Sequence, residues 1–355
     1  MAWVRRIHIR DLRNIRDEVV ELHPGLNVFV GSNAQGKTSL LEAVGVVARG
    51  RSFRTEDAPA MIRRGATALL ARGEAAEEAA TATLEVELGA GAREFRVDGR
   101  PVPPREYHGR LEVVVYSTDR LRVVRGSMRE RRQYLDRSAS ALWPAYRAEM
   151  RQYERILAQR NAALEAGARD EGVWTERLLD SGARLRRRRA AYAARLTAAL
   201  AEGFRPAGES YEVRLPSAPA SDGEARTELA EEIAALLPRE RAAGRSLAGP
   251  HRDAVDLLVD GRDAGEGASS GQARSLLLAL TLASLRVYRD ETGRAAVALL
   301  DDLDSELDED RAGTLCEEVA RRGQALVTSA HPRWAESLRP LGSVYRVSAG
   351  AVSAA

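Results

Sequence analysis

The 355-residue chain has one lysine among its 54 basic side chains, one cysteine (Cys316) and five histidines. A lone thiol forms no internal disulfide, and so few scattered Cys and His residues give no metal-ligand spacing. Aromatic residues make up only 5% of the chain, and no apolar run is both long enough and free enough of charge to span a bilayer. Arg5 and Arg6 are not followed by the apolar stretch of a secretory leader. These absences lead us to expect a cytoplasmic protein with a reduced cysteine and no membrane partner. A strong charge imbalance is also missing. With a net charge of only +2, any contact with a polyanion must come from a local patch.

The single lysine, Lys37, falls inside Gly31-Ser32-Asn33-Ala34-Gln35-Gly36-Lys37-Thr38, a full match to the phosphate-binding pattern G-x-x-x-x-G-K-[ST]. The residues before it, Leu26 to Val30, read as a buried strand, and those from Ser39 to Val44 as an apolar helix. That is the strand–loop–helix context the motif requires. Arginine serves everywhere else in the chain. Lysine stands at the one place where a compact ammonium can reach between phosphate oxygens and a planar guanidinium cannot. Residues Gly31 to Ser39 are therefore the expected ATP-binding residues, with Lys37 on the phosphates and Thr38 as a Mg²⁺ ligand.

Val297-Ala298-Leu299-Leu300 reads as a second buried strand, ending in Asp301-Asp302. Asp301 is the expected second Mg²⁺ ligand, and Asp302 the residue that orients or deprotonates an attacking water. Ser269-Ser270-Gly271-Gln272 opens an apolar helix upstream of this strand, and small residues at a helix N-terminus form a further anion site. His331, after the strand Ala325 to Ser329, is a lesser candidate for touching a terminal phosphate.

Between the two motifs the character of the chain changes. The hairpin expected over residues 3–30 and the strands around 82–97 and 111–116 give way, from 121 to 200, to helical periodicity broken at 166–172, an αα-hairpin. This window holds 18 arginines against nine acids, a surplus of nine in a nearly neutral chain. Arg184, Arg186, Arg187, Arg188 and Arg189 form its densest point and are the expected DNA-binding candidates. Residues 205–245 read as a return path with a short helix near 229–237. Asp256 to Val259 reads as the strand where the core resumes. The expected division is 1–120 and 246–355 as two parts of an ATPase domain, with 121–245 as a helical insert lobe.

The phosphate loop, the Ser269–Gln272 loop and the Asp pair, in that order, resemble the ABC-type ATPases, and Asp304 to Asp308 resembles their dimer-contacting loop. Four further stretches resemble the RecF family: Ser52-Phe53-Arg54-Thr55 with Met61 to Gly65; Asp119 to Asp136; Gly249-Pro250-His251-Arg252-Asp253; and Leu299 to Asp308 with Arg311 and Leu315. Thr118, Met128 and Ala254 depart from the family pattern. The resemblance is expected to run from about residue 3 to about 335, without the last twenty residues. The resemblance implies an α/β fold: a P-loop ABC-type ATPase head with antiparallel strands added to the core, plus an all-α inserted lobe. It also implies a weak, DNA-stimulated ATPase that closes into a homodimer around two ATP molecules. Such a dimer binds duplex DNA near single-strand gaps and works with RecR-like and RecA-like partners. The competing reading, the nucleotide-binding subunit of a membrane transporter, shares the loops but does not account for a basic helical insert.

Overall fold

Leu26-Asn27-Val28-Phe29-Val30 is buried at every position, and so are Val297–Leu300 and Ala325–Ser329. Continuous burial of short, mostly apolar runs is the pattern of parallel strands covered on both faces. In the computed structural model these three strands lie side by side. The structure describes residues 2–77, 80–89, 91–168, 171–205, 208–303 and 309–355. In chain order the elements begin with β1 (Ala2–Leu12), β2 (Ile15–Glu21), β3 (Leu26–Val30), α1 (Lys37–Arg49), β4 (Ala68–Glu77), β5 (Ala80–Gly89), β6 (Ala92–Val97), β7 (Arg100–Pro101), α2 (Pro104–Tyr107) and β8 (Val113–Tyr116). Next come α3 (Arg122–Arg125), α4 (Met128–Leu142), α5 (Pro144–Ala166), α6 (Glu171–Ala201), β9 (Tyr211–Arg214), α7 (Asp222–Ala243), β10 (Asp256–Val259), β11 (Arg262–Asp263), α8 (Ala264–Gly267) and α9 (Ser270–Thr292). The chain closes with β12 (Val297–Leu300), α10 (Glu309–Arg322), β13 (Ala325–Ser329), α11 (Pro332–Ser337), β14 (Gly342–Ser348) and β15 (Ala351–Ala354).

Two compact units result, one made of Met1–Arg120 with Tyr288–Ala355, the other of Leu121–Val287. The edge at Val287 lies well past the boundary expected at 245, so residues 246–287 pack with the helical unit. In the first unit one sheet has the order β15-β14-β3-β13-β12-β8, with the five strands from β14 to β8 mutually parallel. The second sheet, β2-β1-β4-β5-β6-β7, is antiparallel and begins with the expected hairpin. Helix α1 is buried along nearly its whole length and shares one apolar core with both sheets. Gln324, fully buried, ties the two sheets together. Its amide accepts from the Val4 N–H and donates to the Val4 carbonyl, both at 2.8 Å, beside a bulge where β1 slips register against β4.

The second unit is mostly helical, as the periodicity predicts, but differs from expectation in three ways. Trp143-Pro144 divides the first helical stretch into α4 and α5, because proline is tolerated only in the first turn of a helix. The short helix expected near 229–237 is the 22-residue α7, capped by Ser221 and running through Pro238. Asp256–Val259 does not resume the core. It pairs with β9 and β11 in a separate three-stranded antiparallel sheet.

The interior of this unit is held by charge as well as by apolar contact. The buried stripe of α7, Ala225, Leu229 and Ile233, continues to Glu240, and that of α5 includes Arg160. Both side chains are fully buried and meet at 2.6 Å, while Glu240 also accepts the Leu247 N–H at 2.6 Å. Removing one member of such a pair strands the other charge, at a cost of about 3–5 kcal/mol. Glu240→Leu is therefore expected to lower stability by about that amount, read as a shift in the urea unfolding midpoint with unchanged slope.

Candidate nucleotide site

All five parallel strands end on the same edge of their sheet, and the phosphate loop, the Asp pair and His331 follow three of those ends. This is where open α/β sheets place their ligands. The phosphate loop leaves β3 at Gly31, where a Cβ would overlap the Val347 carbonyl oxygen, so only glycine fits. Gly36, at φ 110°, caps α1 in a conformation that side-chain-bearing residues rarely adopt. A Cβ there would also press on the Asn14 amide at 2.9 Å. The Lys37 ammonium, 5% exposed, lies over the loop and donates to the carbonyls of Gly31 at 2.7 Å and Ser32 at 3.1 Å, with Asn33 Oδ1 at 3.5 Å. Carbonyl dipoles therefore already hold the charge that phosphate oxygens would take over.

Thr38 and Asp301 meet as expected, with the Thr38 hydroxyl donating to Asp301 Oδ1 at 2.9 Å. Two residues not anticipated from sequence complete the contact. Thr328 at the end of β13 donates to the same oxygen at 2.8 Å, and Ser117 beyond β8 approaches Oδ2 at 3.5 Å. A polar residue closing an apolar strand was the available signal for Thr328. Burial is the largest influence on Asp301 and, with the neighbouring Asp302 charge, pushes its carboxyl up to about 6; the hydroxyl hydrogen bonds and Arg54 pull the other way. A hydroxyl beside a carboxylate is a hard oxygen donor set of the kind that holds Mg²⁺ together with phosphate oxygens. Asp302 is half-buried, with its backbone at φ 51° and its N–H donating to Thr328 Oγ1 at 2.8 Å.

Residues around the loop hold it from several sides. Asn14, in the turn between β1 and β2, donates to the Gln35 carbonyl at 3.0 Å and accepts from Ser39 Oγ at 3.3 Å. Ser39 is thus engaged by protein within the site. Glu42 of α1, fully buried, takes Arg13 through two bonds of 2.8 and 2.9 Å and lies 3.7 Å from Arg54, which also pairs with Asp119 at 3.3 Å. His331 is exposed at the start of α11, its backbone N–H on Ser329 Oγ. The loop Asp304–Asp308 lies outside the described residues.

In the helical unit, Ser269 and Gln272 cap α9 reciprocally. The Gln272 N–H donates to Ser269 Oγ at 3.1 Å, and the Ser269 N–H to Gln272 Oε1 at 2.9 Å. Ser269, Ser270 and Gly271 are exposed, and Arg125 reaches Ser270 Oγ at 3.4 Å. The arginine run behaves differently from expectation. Arg186 and Arg189, one turn apart on α6, are buried. Arg186 is held by Glu232 at 2.7 Å and Asp253 at 2.6 Å. Arg189 binds Asp136 at 3.0 Å and the Pro250 carbonyl at 2.9 Å. A buried, doubly paired guanidinium has no face for a DNA phosphate, so these two leave the candidate list. Arg187 is exposed beside Asp222, Arg188 pairs with Glu149 at 2.8 Å, and Arg184 is half-buried.

A raised carboxyl pKa has a defined signature. Asp301 favours its protonated form in the folded state, so its contribution to stability is complete below the ordinary value of 3.8 and is lost as pH rises through about 6. Without nucleotide or Mg²⁺, the melting temperature of the wild type should fall between pH 4 and 7 relative to Asp301→Asn, by the equivalent of roughly 2–3 kcal/mol. Parallel melting curves for the two proteins across that range would contradict the burial argument.

Comparison with known proteins identifies the chain's relatives. Residues 3–353 match the RecF/RecN/SMC N terminal domain family. The chain is 37% identical to the DNA replication and repair protein RecF of Symbiobacterium thermophilum over 92% of its own length and 91% of that protein's. It is 36% identical to the RecF of Acidothermus cellulolyticus over 92% and 94%. A solved structure of the recombination mediator protein RecF with ATP, of the RecFOR pathway, superposes with a TM-score of 0.90 at 25% identity, covering 100% of this chain and 98% of that one. The α/β head expected from the motifs is the head of this group, and with matches running nearly end to end the chain belongs to the RecF family of DNA replication and repair proteins.

Proposed function

We propose that this protein is an ATP-dependent DNA-binding protein of recombinational repair. On this reading it binds Mg·ATP at Gly31–Thr38, closes into a homodimer, and in that form holds duplex DNA near single-strand gaps with RecR-like and RecA-like partners. The observation that supports it is the 2.9 Å contact between Thr38 and Asp301, which brings the phosphate-loop motif and the Asp pair together in a chain of this family. Family membership gives the transporter reading no support, and among the described residues no helix is long and apolar enough to cross a membrane.

The chemistry follows from the side chains. Lys37 exchanges its carbonyl partners for phosphate oxygens, and the loop N–H groups with the N-terminus of α1 take the remaining negative charge. Mg²⁺ would be held by Thr38 and Asp301 and would neutralise charge on the phosphates. Asp302 orients or deprotonates the attacking water. Ser269–Gln272, with Ser269 to Gly271 exposed at the start of α9, acts on the terminal phosphate of the nucleotide bound by the second subunit, so ATP joins the two subunits and hydrolysis releases them. DNA contact falls to exposed basic side chains such as Arg187, with Arg184 and Arg188 beside it.

Mass in solution with and without ATP, then with duplex DNA, tests the reading. The wild type should double in mass with Mg·ATP, whereas Lys37→Ala should stay monomeric and lose ATP-stimulated DNA binding. Ser270→Arg should bind ATP normally yet fail to dimerise, and should lose the salt-dependent part of duplex binding. A Ser270→Arg protein that still pairs on ATP would remove the trans contact from the mechanism.

Asp302→Asn should separate binding from hydrolysis, because it keeps the shape of the side chain and leaves Thr38 and Asp301 in place. Its ATP-bound dimer should persist while phosphate release drops by at least about 100-fold, the usual contribution of a general base. Hydrolysis at the wild-type rate would assign the water to another residue.

A further inference from the structure

The end of the chain packs against the phosphate loop. Strand β14 runs parallel to β3 as far as the pair Arg346–Val30 and then continues alongside the start of the loop. It returns as β15 through a two-residue turn, Ala349-Gly350, flanked by the pair Ser348–Ala351. Both turn residues have positive φ, 50° and 87°, the geometry that suits a tight hairpin. Alanine seldom adopts it, so the surroundings must hold it there.

What holds it is Gln35. The Ala349 N–H donates to Gln35 Oε1 at 2.6 Å, and the Gly350 N–H to the Gln35 main-chain carbonyl at 2.8 Å. The same carbonyl takes a second bond from Asn14 Nδ2 at 3.0 Å. Gly350 in turn lies so close to the β1–β2 turn that a Cβ on it would stand 2.5 Å from the Asn14 carbonyl oxygen. The three segments therefore interlock, with Gln35 at the centre.

We propose that the β14–β15 turn is a positioning clamp on the phosphate loop, with Gln35 as the positioning residue it grips rather than a residue that touches nucleotide through its side chain. The proposal rests on the reading of Gly31–Thr38 as a nucleotide cradle. A trans peptide directs its C=O and its N–H to opposite sides, and among the described residues no peptide is cis. Three hydrogen bonds that fix the Gln35 side chain and carbonyl on the clamp side thus direct the Gly36 N–H away from it. That N–H belongs to the loop donors that cradle the inner phosphates. The clamp therefore sets affinity for the part of the nucleotide that ADP and ATP share.

The test titrates fluorescent ATP and ADP analogues, with Mg²⁺, into wild type, Gln35→Met, Gly350→Val and the double variant. Gln35→Met keeps the size of the side chain and removes the acceptor; Gly350→Val drives the turn off Asn14 from a position outside the loop. Each single variant should weaken ATP and ADP by the same factor, about three- to tenfold, the range expected for losing one or two hydrogen bonds. The double variant should be little weaker than the weaker single, because both changes break one contact. Wild-type affinity in both singles, weakening confined to ATP, or single effects that multiply in the double would each overturn the clamp. Should Gly350→Val melt too low to assay, Gly350→Ala meets the same carbonyl and takes its place. Lys37→Ala separates this failure from the broader one: if it too binds like wild type, the cradle reading falls, whereas if it alone loses binding, only the clamp does.

Discussion

The hydrogen bond between Thr38 and Asp301 joins residues 263 positions apart, and the rest of the nucleotide head is arranged so that it can form. Neither residue could find the other by local structure. The parallel sheet does it, by placing β3, β13 and β12 side by side and ending them on one edge. Between the two motifs the chain leaves as β8 and returns as β12, and these strands are themselves paired, Val113 with Val297 through Tyr116 with Leu300. The long helical excursion thus starts and ends in adjacent strands. An insertion of that size is compatible with the site because its two ends are held in register and the loop-closure cost rises only slowly with length.

Features written in consecutive residues were legible from the sequence; those made by pairing distant residues were not. The phosphate loop and the Asp pair each carry their own strand, so pattern and context could be read together. Thr328 closes an apolar strand and Ser117 follows one, but neither carries a motif, and each reaches Asp301 only when its strand is placed beside β12. Asn14 sits in a two-residue turn with Arg13, whose positive φ marks it as tight, but nothing local indicates that it braces a loop 21 residues later. Asp256–Val259 has the apolar look of a core strand and is buried, yet its hydrogen bonds go to β9 and β11. Burial was legible there; the choice of partner was not.

The arginine run shows the same limit in electrostatic form. Counting charge within residues 121–200 gives a surplus because several of the acids that answer it, Asp222, Glu232 and Asp253, lie further along the chain. Once α6 is formed, positions 186 and 189 fall on one face, and that face turns inward to Asp253 and the Pro250 carbonyl. The burial penalty on each guanidinium is opposed by bidentate carboxylates, and the pKa of both stays raised. The Gly249–Asp253 segment that resembled the family supplies, through Asp253 and the Pro250 carbonyl, part of what holds the buried arginines of α6.

Thr328 touches both aspartates, each in a different way. A hydroxyl has one proton. Thr328 Oγ1 accepts the Asp302 N–H at 2.8 Å, so its own proton goes to Asp301 Oδ1, also at 2.8 Å. One side chain thus fixes the Asp301 carboxylate and the Asp302 backbone together. The left-handed turn at Asp302 breaks the strand's alternation at that point, so the second carboxylate need not follow the first into the burial that raises Asp301. Two neighbouring acids thereby acquire different environments. One is buried among hydroxyls; the other is half-buried. A threonine on a different strand and the left-handed turn at Asp302 set the asymmetry together.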